Sequence, residues 1–426
     1  MSDVVVHNQQ SHEGFNYSIA FVKNGKRYSI NNFVTELNVF ESLFAKAMQL
    51  KIGMVDGAGL IKAIALQPGD VISVMIQKDD KQEKKVEKDF VILEIQEGDR
   101  TQNSQGRSYS ISGLTQPAHN NQVFGVSRSI NGSVSEMIEQ VAKDFLKIEE
   151  LEVEETLGGA TYVCANLPPF KIIDALTQQA VAADAKGDDN LFFFYENADG
   201  FKFKSLRKII TDAATHNYVV TPDKNRSENE QDIYRVMSFR QLKTGSQSEQ
   251  IKGGMLENEV LEFNVLNRTL VSSRFRYKDK SEDIHILGKN PGRDLETNID
   301  QWVSPEDSRN SGNAPHVVVR SDETAFNRSN YFTRKYGATK AQKHLFNQIC
   351  FTLSFHGNPM LRAGDLIEIE SPEFSAKEVK EQDHLFNGKF LIGNVRHRIV
   401  GSDQFVTHVD IFKDGYDTAY RMQDDT

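Results

Sequence analysis

Short runs of alternating apolar and polar residues fill both ends of this chain, and helical spacing is confined to its middle. Phe15–Val22 and Arg27–Ile30 flank Asn24-Gly25, a pair suited to a tight hairpin because both residues tolerate positive φ. Met48, Leu50, Ile52 and Met54 alternate with other residues, which predicts a half-buried strand. Over 120–235 the period changes. Ser133 and Glu136 have capping-box spacing, and Val134, Ile138, Val141, Phe145 and Ile148 then share one helical face. Pro168-Pro169 opens a second helical pattern through Phe170, Ile173, Leu176 and Ala180. Leu191–Tyr195 and the Phe201/Phe203 pair read as a hairpin across Asp199-Gly200. From Ile233 the chain returns to β alternation, with Ile233, Arg235 and Met237 in one phase. A short helix is expected at Thr339–Phe346, and the Met422–Thr426 tail is expected to fray.

The β pattern is written twice. Gly69-Asp70 precedes Val71–Val74, then Phe90–Ile95, then Tyr109–Ile111. Gly364-Asp365 precedes Leu366–Ile369, then Phe390–Val395, then Val409–Ile411. Phe90 to Ile111 is 21 residues, and so is Phe390 to Ile411. Two copies of one small β-unit therefore enclose other material, with residues 30–115 matching a composite of 233–280 and 345–415. The expected equivalences are Gly69-Asp70 on Gly364-Asp365, Phe90 on Phe390 and Ile111 on Ile411. Each Gly-Asp turn is expected to end a hairpin, with the Asp side chain bonding the local backbone.

Charge and composition narrow the classes of function. A formal net charge of −10 argues against non-specific nucleic-acid binding through a basic face. No apolar run is long enough to span a bilayer, and Met1–Val4 does not open a secretory signal. Cys164 and Cys350 are too few for a disulfide framework and suggest a reducing compartment. The charged run Lys78–Lys88 reads as a solvated loop, and the acidic run Glu149–Glu155 as a solvated helix end.

Catalytic signatures are absent. No phosphate loop follows the Gly-Lys pairs at Gly25-Lys26, Gly288-Lys289 and Gly388-Lys389, and His12-Glu13 starts no zinc-binding helix. Val55–Gly59 is glycine-rich, but a tight turn after a strand accounts for it. His397 and His408 are expected on neighbouring strands, packed or locally hydrogen-bonded. A wall-degrading hydrolase would need paired carboxylates, for which Glu41, Asp70 and Glu368 are scattered candidates that read better as turn and surface acids. The sequence accordingly predicts no catalytic residue, no cofactor-binding residue, no metal ligand and no enzyme activity.

The order of parts resembles the central baseplate hub of contractile-tailed phages of the T-even type. The residues that carry the resemblance are Leu37–Leu43, Met48–Asp56 and Gly69–Ile72 near the start. Phe239–Leu242, Gly253–Leu256 and Leu261–Leu270 follow in the middle, then Leu361–Ile367, Gly388–Ile392 and Val395–His397 near the end. The closing strands are similar to hub domains of secretion-system spike proteins.

The resemblance implies an α+β, mostly β fold. Its parts are a first tube-like antiparallel β-barrel over 1–118, an α+β domain over 119–232, a second barrel from 233–280 and 341–416, and an irregular insertion at 281–340. It further implies a homotrimer whose six similar units join a threefold spike to a sixfold tail tube. The implied partners are the central spike protein, a tail tube or tube-initiator protein, and baseplate wedge and tape-measure proteins. Sequence-specific nucleic acid and membrane insertion are not expected. The implied location is the virion tail baseplate, assembled in the host cytoplasm. Two alternatives remain, a hub component of a contractile injection or secretion machine and a tail-associated peptidoglycan hydrolase. In the first of these a needle would be a separate chain.

Overall fold

Alternating runs form strands that pair mainly with antiparallel neighbours, and the outcome is one curled fourteen-stranded sheet running through both ends of the chain. The computed structural model describes residues 9–10, 15–78, 85–98, 106–184, 190–220, 235–244, 253–255, 257–264, 268–277, 287, 316–321, 331–346, 348–370, 387–402 and 404–415. The class is α+β and mostly β.

The N-terminal lobe contains β1 (Gln9–Gln10), β2 (Asn16–Lys23), β3 (Lys26–Ser29), β4 (Val34–Ser42), β5 (Gln49–Asp56), α1 (Leu60–Ala63), β6 (Val71–Gln77), β7 (Val86–Glu97) and β8 (Arg107–Thr115). The middle contains α2 (Gln116–Val123), β9 (Ser129–Gly132), α3 (Val134–Val141), β10 (Leu151–Val153), β11 (Ala160–Val163), α4 (Pro169–Thr177), β12 (Phe192–Asn197), β13 (Gly200–Ser205), α5 (Leu206–Asp212) and β14 (Thr215–Val219). The C-terminal part contains β15 (Val236–Thr244), β16 (Glu257–Asn264), β17 (Thr269–Arg276), β18 (His316–Ser321), α6 (Tyr331–Phe346), β19 (Ile349–His356), β20 (Leu366–Glu370), β21 (Gly388–Val400) and β22 (Gln404–Lys413).

The large sheet runs β1-β2-β6-β7-β8-β5-β4-β21-β22-β19-β15, with β20 on β21 and β14 on β20. Within it, β6-β7-β8-β5-β4 and β20-β21-β22-β19-β15 are the same five-strand order, met in the same order along the chain. The register repeats as well. Phe90 lies opposite Ile72, and Phe390 opposite Ile367, each partner three residues after its turn glycine. One rung runs Val39–Leu50–Gly113–Ile92 in the first unit and Gln241–Phe351–Ile411–Ile392 in the second. The next runs Leu37–Ile52–Ile111–Ile95 and Phe239–Leu353–Val409–Val395. Both units carry a bulge immediately after this isoleucine, between Ile92 and Glu94 and between Ile392 and Asn394.

These rungs correct one equivalence. Ile411 falls on Gly113, and Ile111 falls on Val409. The equal 21-residue step is a coincidence of the connecting loops. The face is preserved because the slip is two residues, one full side-chain period.

The turns repeat to the hydrogen bond. Gly69 N–H donates to Ile92 O at 2.8 Å, and Gly364 N–H to Ile392 O at 2.9 Å. Ile92 N–H returns a bond to Asp70 O, and Ile392 N–H to Asp365 O, each at 2.8 Å. Gly69 and Gly364 have φ of 96° and 99°, a region that disfavours a Cβ. Each turn opens the first strand of a hairpin rather than ending one. The Asp70 carboxylate accepts from Gln67 N–H at 2.9 Å, as expected. The Asp365 carboxylate instead meets His216 Nε2 at 2.9 Å, because β14 lies beside β20 there.

Helical spacing in the middle is realised. Ser133 accepts from Glu136 N–H at 3.2 Å, and Glu136 accepts from Ser133 N–H at 2.8 Å, completing the capping box of α3. Val134, Met137, Ile138 and Val141 then pack with α4 and with Phe192, Phe194, Phe201 and Phe203 in a core of their own. The acidic run is not a helix end. Leu151–Val153 pairs in parallel with β13, and Glu154 accepts from Ser205 N–H at 2.6 Å.

The segment expected as part of the second barrel divides. β15 joins the large sheet, whereas β16 and β17 form a three-stranded sheet with β18. Residues of β17 and α6, including Phe275, Ala341 and Leu345, form a further core with Met255. The short helix expected from Thr339 begins earlier, at Tyr331. Trp302, Asn290-Pro291-Gly292, Ser308–Asn313, His12-Glu13, Ile233, Gly288-Lys289 and Met422–Thr426 lie outside the described residues, as does 79–84 within the charged run.

A candidate assembly interface

β4 and β21 join the two units by an antiparallel ladder from Ser42↔Asn394 to Glu36↔Val400. On the core face, Leu37 lies opposite Ile399, and Ile399 and Phe405 complete the apolar core of the N-terminal lobe. On the other face the ladder is charged. Arg398 Nε donates to Glu36 Oε1 at 2.8 Å, and Arg396 Nε donates to Asn38 Oδ1 at 2.8 Å. The Arg398 guanidinium and the Asn38 amide hold the Glu36 carboxyl below the usual carboxylate range. Ser42, Asn394, Asp410 and Thr352 continue the seam as a chain of side-chain hydrogen bonds.

At one end of the seam lies a buried polar junction. Glu41 is 1 % exposed and accepts from Ala198 N–H and Ala363 N–H, both at 3.1 Å. Burial pushes its carboxyl up to about 7, against the opposing pull of Arg362. The Arg362 guanidinium, also 1 % exposed, donates to Asp199 Oδ1 at 3.0 Å, Lys85 O at 3.1 Å, Pro359 O at 2.5 Å and Leu361 O at 3.3 Å. Nearby, Glu196 accepts from Thr115 Oγ1 at 2.6 Å and Met48 N–H at 3.0 Å, and burial raises its carboxyl. Acids of one region thus satisfy backbone donors of another, which an unpaired buried carboxylate could not do cheaply.

The residues considered for chemistry do not converge. Glu41, Asp70 and Glu368 belong to three segments, on or beside β4, β6 and β20, none of which pairs with another. Asp70 is salt-bridged to Lys23 at 2.9 Å rather than free for catalysis. Glu368 faces Lys389 across the β20–β21 ladder. Glu41 is not the surface acid expected; folding buries it because its loop partners carry N–H groups that need acceptors. Asp56 caps the Val55–Gly59 turn by accepting from Ala58, Leu60 and Ile61 N–H, a structural use of that glycine-rich stretch. His397 is fully buried, with Nδ1 3.2 Å from Thr407 Oγ1, and burial pushes its imidazole down to about 3. His408 Nδ1 lies 2.8 Å from Ser354 Oγ. Among the described residues no group of three His, Cys, Asp or Glu side chains is placed to hold a metal ion. No described helix is long and apolar enough to cross a membrane.

Sequence reasoning missed Arg362, Asp199 and Glu196. Arg362 and Glu196 are buried only where distant segments meet, and Asp199 stays exposed while accepting from the Arg362 guanidinium. The seam had one legible signal, the concentration of acids in β4 and arginines in β21.

No family model and no curated protein matches this sequence. Solved structures do. A tail protein from Neisseria meningitidis MC58 matches with a TM-score of 0.55 at 10 % identity, covering 94 % of this chain and 97 % of that one. The 43 kDa tail protein of prophage MuSo2 from Shewanella oneidensis matches with a TM-score of 0.55 at 11 % identity, over 93 % and 98 % of the two chains. This chain therefore shares its overall fold with these two tail proteins.

Proposed function

We propose that this chain is a structural protein of a phage tail baseplate and forms its central hub. Three copies make a ring of six similar β-units, which joins a threefold spike to a sixfold tail tube. The observation that carries this reading is the repeat of strand order, register, bulge and turn between the two lobes. Two equivalent units in one chain supply a pseudo-sixfold surface from a threefold assembly. The fold shared with phage tail proteins supports the tail location. The spike, the tube or its initiator, and wedge and tape-measure proteins are the proposed partners, and the protein itself performs no catalysis.

The test is mass and shape. Light scattering on the purified protein, alone and with its spike, is expected to give three copies, and electron micrographs a ring with six similar lobes. A monomer in both conditions, or six copies of this chain in one ring, overturns the proposal. Lysis of purified cell wall by the protein overturns its non-enzymatic part.

A further inference from the structure

We infer that Glu41 is a proton-controlled latch. Protonated, it lets the first unit, the middle domain and the second unit close on one another; ionised, it loosens the joint between them.

Its carboxyl sits where these three parts meet. Glu41 lies near the end of β4, and its Oε1 accepts from Ala198 N–H in the turn between β12 and β13. Its Oε2 accepts from Ala363 N–H in the loop before β20. The same two loops are tied to each other, with Asn197 Nδ2 donating to Ala363 O at 3.2 Å. At 1 % exposure the carboxyl is sealed from water while the parts are closed.

The surrounding charges do not hold it ionised. The Arg362 guanidinium attracts Glu41 through space, but it directs its hydrogen bonds to Asp199 Oδ1 and to the carbonyls of Lys85, Pro359 and Leu361. Glu41 thus has two backbone N–H partners and no ion pair among the described residues. Glu196, at the same junction, is better supplied, with Met48 N–H, Thr115 Oγ1 and Lys88 Nζ at 3.6 Å. Asp199 repels a charge on Glu41. Burial pushes the Tyr195 hydroxyl up and the His397 imidazole of β21 down, so neither supplies a cation. A carboxylate in so dry a place is costly, and opening to water relieves it. Burial places the carboxyl at about 7 in the closed joint, against 4.5 when solvated. Closure is therefore tightest below about 4.5, weakens as pH rises and levels off above about 7.

The experiment is hydrogen exchange on the full chain between about pH 5 and 7, read by mass spectrometry on peptides containing Ala198 and Ala363. These are the two amides that Glu41 itself holds. Base catalysis alone raises exchange about tenfold per pH unit, and opening by ionisation is expected to add up to about tenfold per unit more. Gly401 N–H, bonded to Thr35 O at the other end of β4, is expected to show the base-catalysed rise only. Glu41→Gln is expected to remove the additional rise at both peptides. An ordinary slope at either peptide of the unaltered protein overturns the latch, whether or not the variant folds. An additional rise that persists in Glu41→Gln assigns the opening to another group and overturns it equally.

Discussion

Leu37 and Phe239 occupy the same place in two copies of one strand pattern, yet one is sealed in a core and the other faces solvent. Strand chemistry does not explain the difference, because both sit on the core side of their sheets. What differs is the neighbour. β4 is covered by β21, and Ile399 of β21 joins the first core together with Phe405 of β22. β15 is the last strand of the sheet path. Duplication gives two equal units, but joining them in line consumes only one of the two equivalent edges. An apolar surface left open in this way marks where further assembly can continue.

The comparison breaks most severely if the equivalent cores do not behave alike. Phe90 and Phe390 are both fully buried at matched rungs. Each change to Ala is expected to cost about 3–5 kcal/mol, read by denaturant unfolding with hydrogen exchange reporting each lobe. A loss in one lobe below about 1 kcal/mol would mean that its phenylalanine is not a core anchor.

The junction between the lobes sharpens the comparison through pH. Glu41 holds its proton more tightly when folded, so its contribution is full below about 4.5 and is lost as pH rises to about 7. The span corresponds to roughly 3 kcal/mol. His397 works in the opposite sense. Its contribution is full above about 6.5 and is lost as pH falls towards about 3. In a series of melting temperatures against pH, Glu41→Gln is expected to flatten the neutral side and His397→Phe the acid side. Unchanged slopes in both variants would remove the two groups from the account.

The turn glycines give a smaller, directional test. Both have positive φ, so an added Cβ costs about 1–3 kcal/mol at either. At Gly364 the new Cβ would lie 2.8 Å from Tyr195 Oη, whereas at Gly69 nothing lies within 4 Å. Gly364→Ala is therefore expected to lower the melting temperature more than Gly69→Ala. The reverse order would show that the middle domain does not press on the second turn.

The smallest effect belongs to the charged face of the internal seam. Glu36→Gln weakens an ion pair whose side chains are 36 % and 39 % exposed, and is expected to cost about 0.2–1 kcal/mol. High salt should erase the difference, and a salt-independent loss would point to packing instead.

The lobes were legible in sequence because Gly-Asp turns and alternating apolar runs act locally. Phe90 and Phe390 could be matched because each opens a similar apolar run, Phe90–Leu93 and Phe390–Ile392, although their distances from Gly69 and Gly364 differ. Ile111 and Ile411 could not, because the loops before them differ and a count along the chain does not see a ladder. β14 was illegible for another reason. Its parallel pairing with β20 joins residues about 150 positions apart, and nothing in Thr215–Val219 announces a partner. Of the acidic run, Glu149, Glu150, Glu152 and Glu155 are exposed as read, and only Glu154 turns inward to receive the Ser205 N–H. Arg362 stood within a recognisable stretch, but its role is created by segments that meet only in three dimensions.

Arg362 also has a mechanical consequence. Its donors form a rigid plane, and they hold the loop before β7, the turn between β12 and β13, and the loop before β20. Rotating one lobe against the other misaligns these bonds together instead of straining them in turn. The joint between the lobes therefore lacks a soft direction near this point. A twist of one lobe against the other at this point works against several Arg362 hydrogen bonds at once.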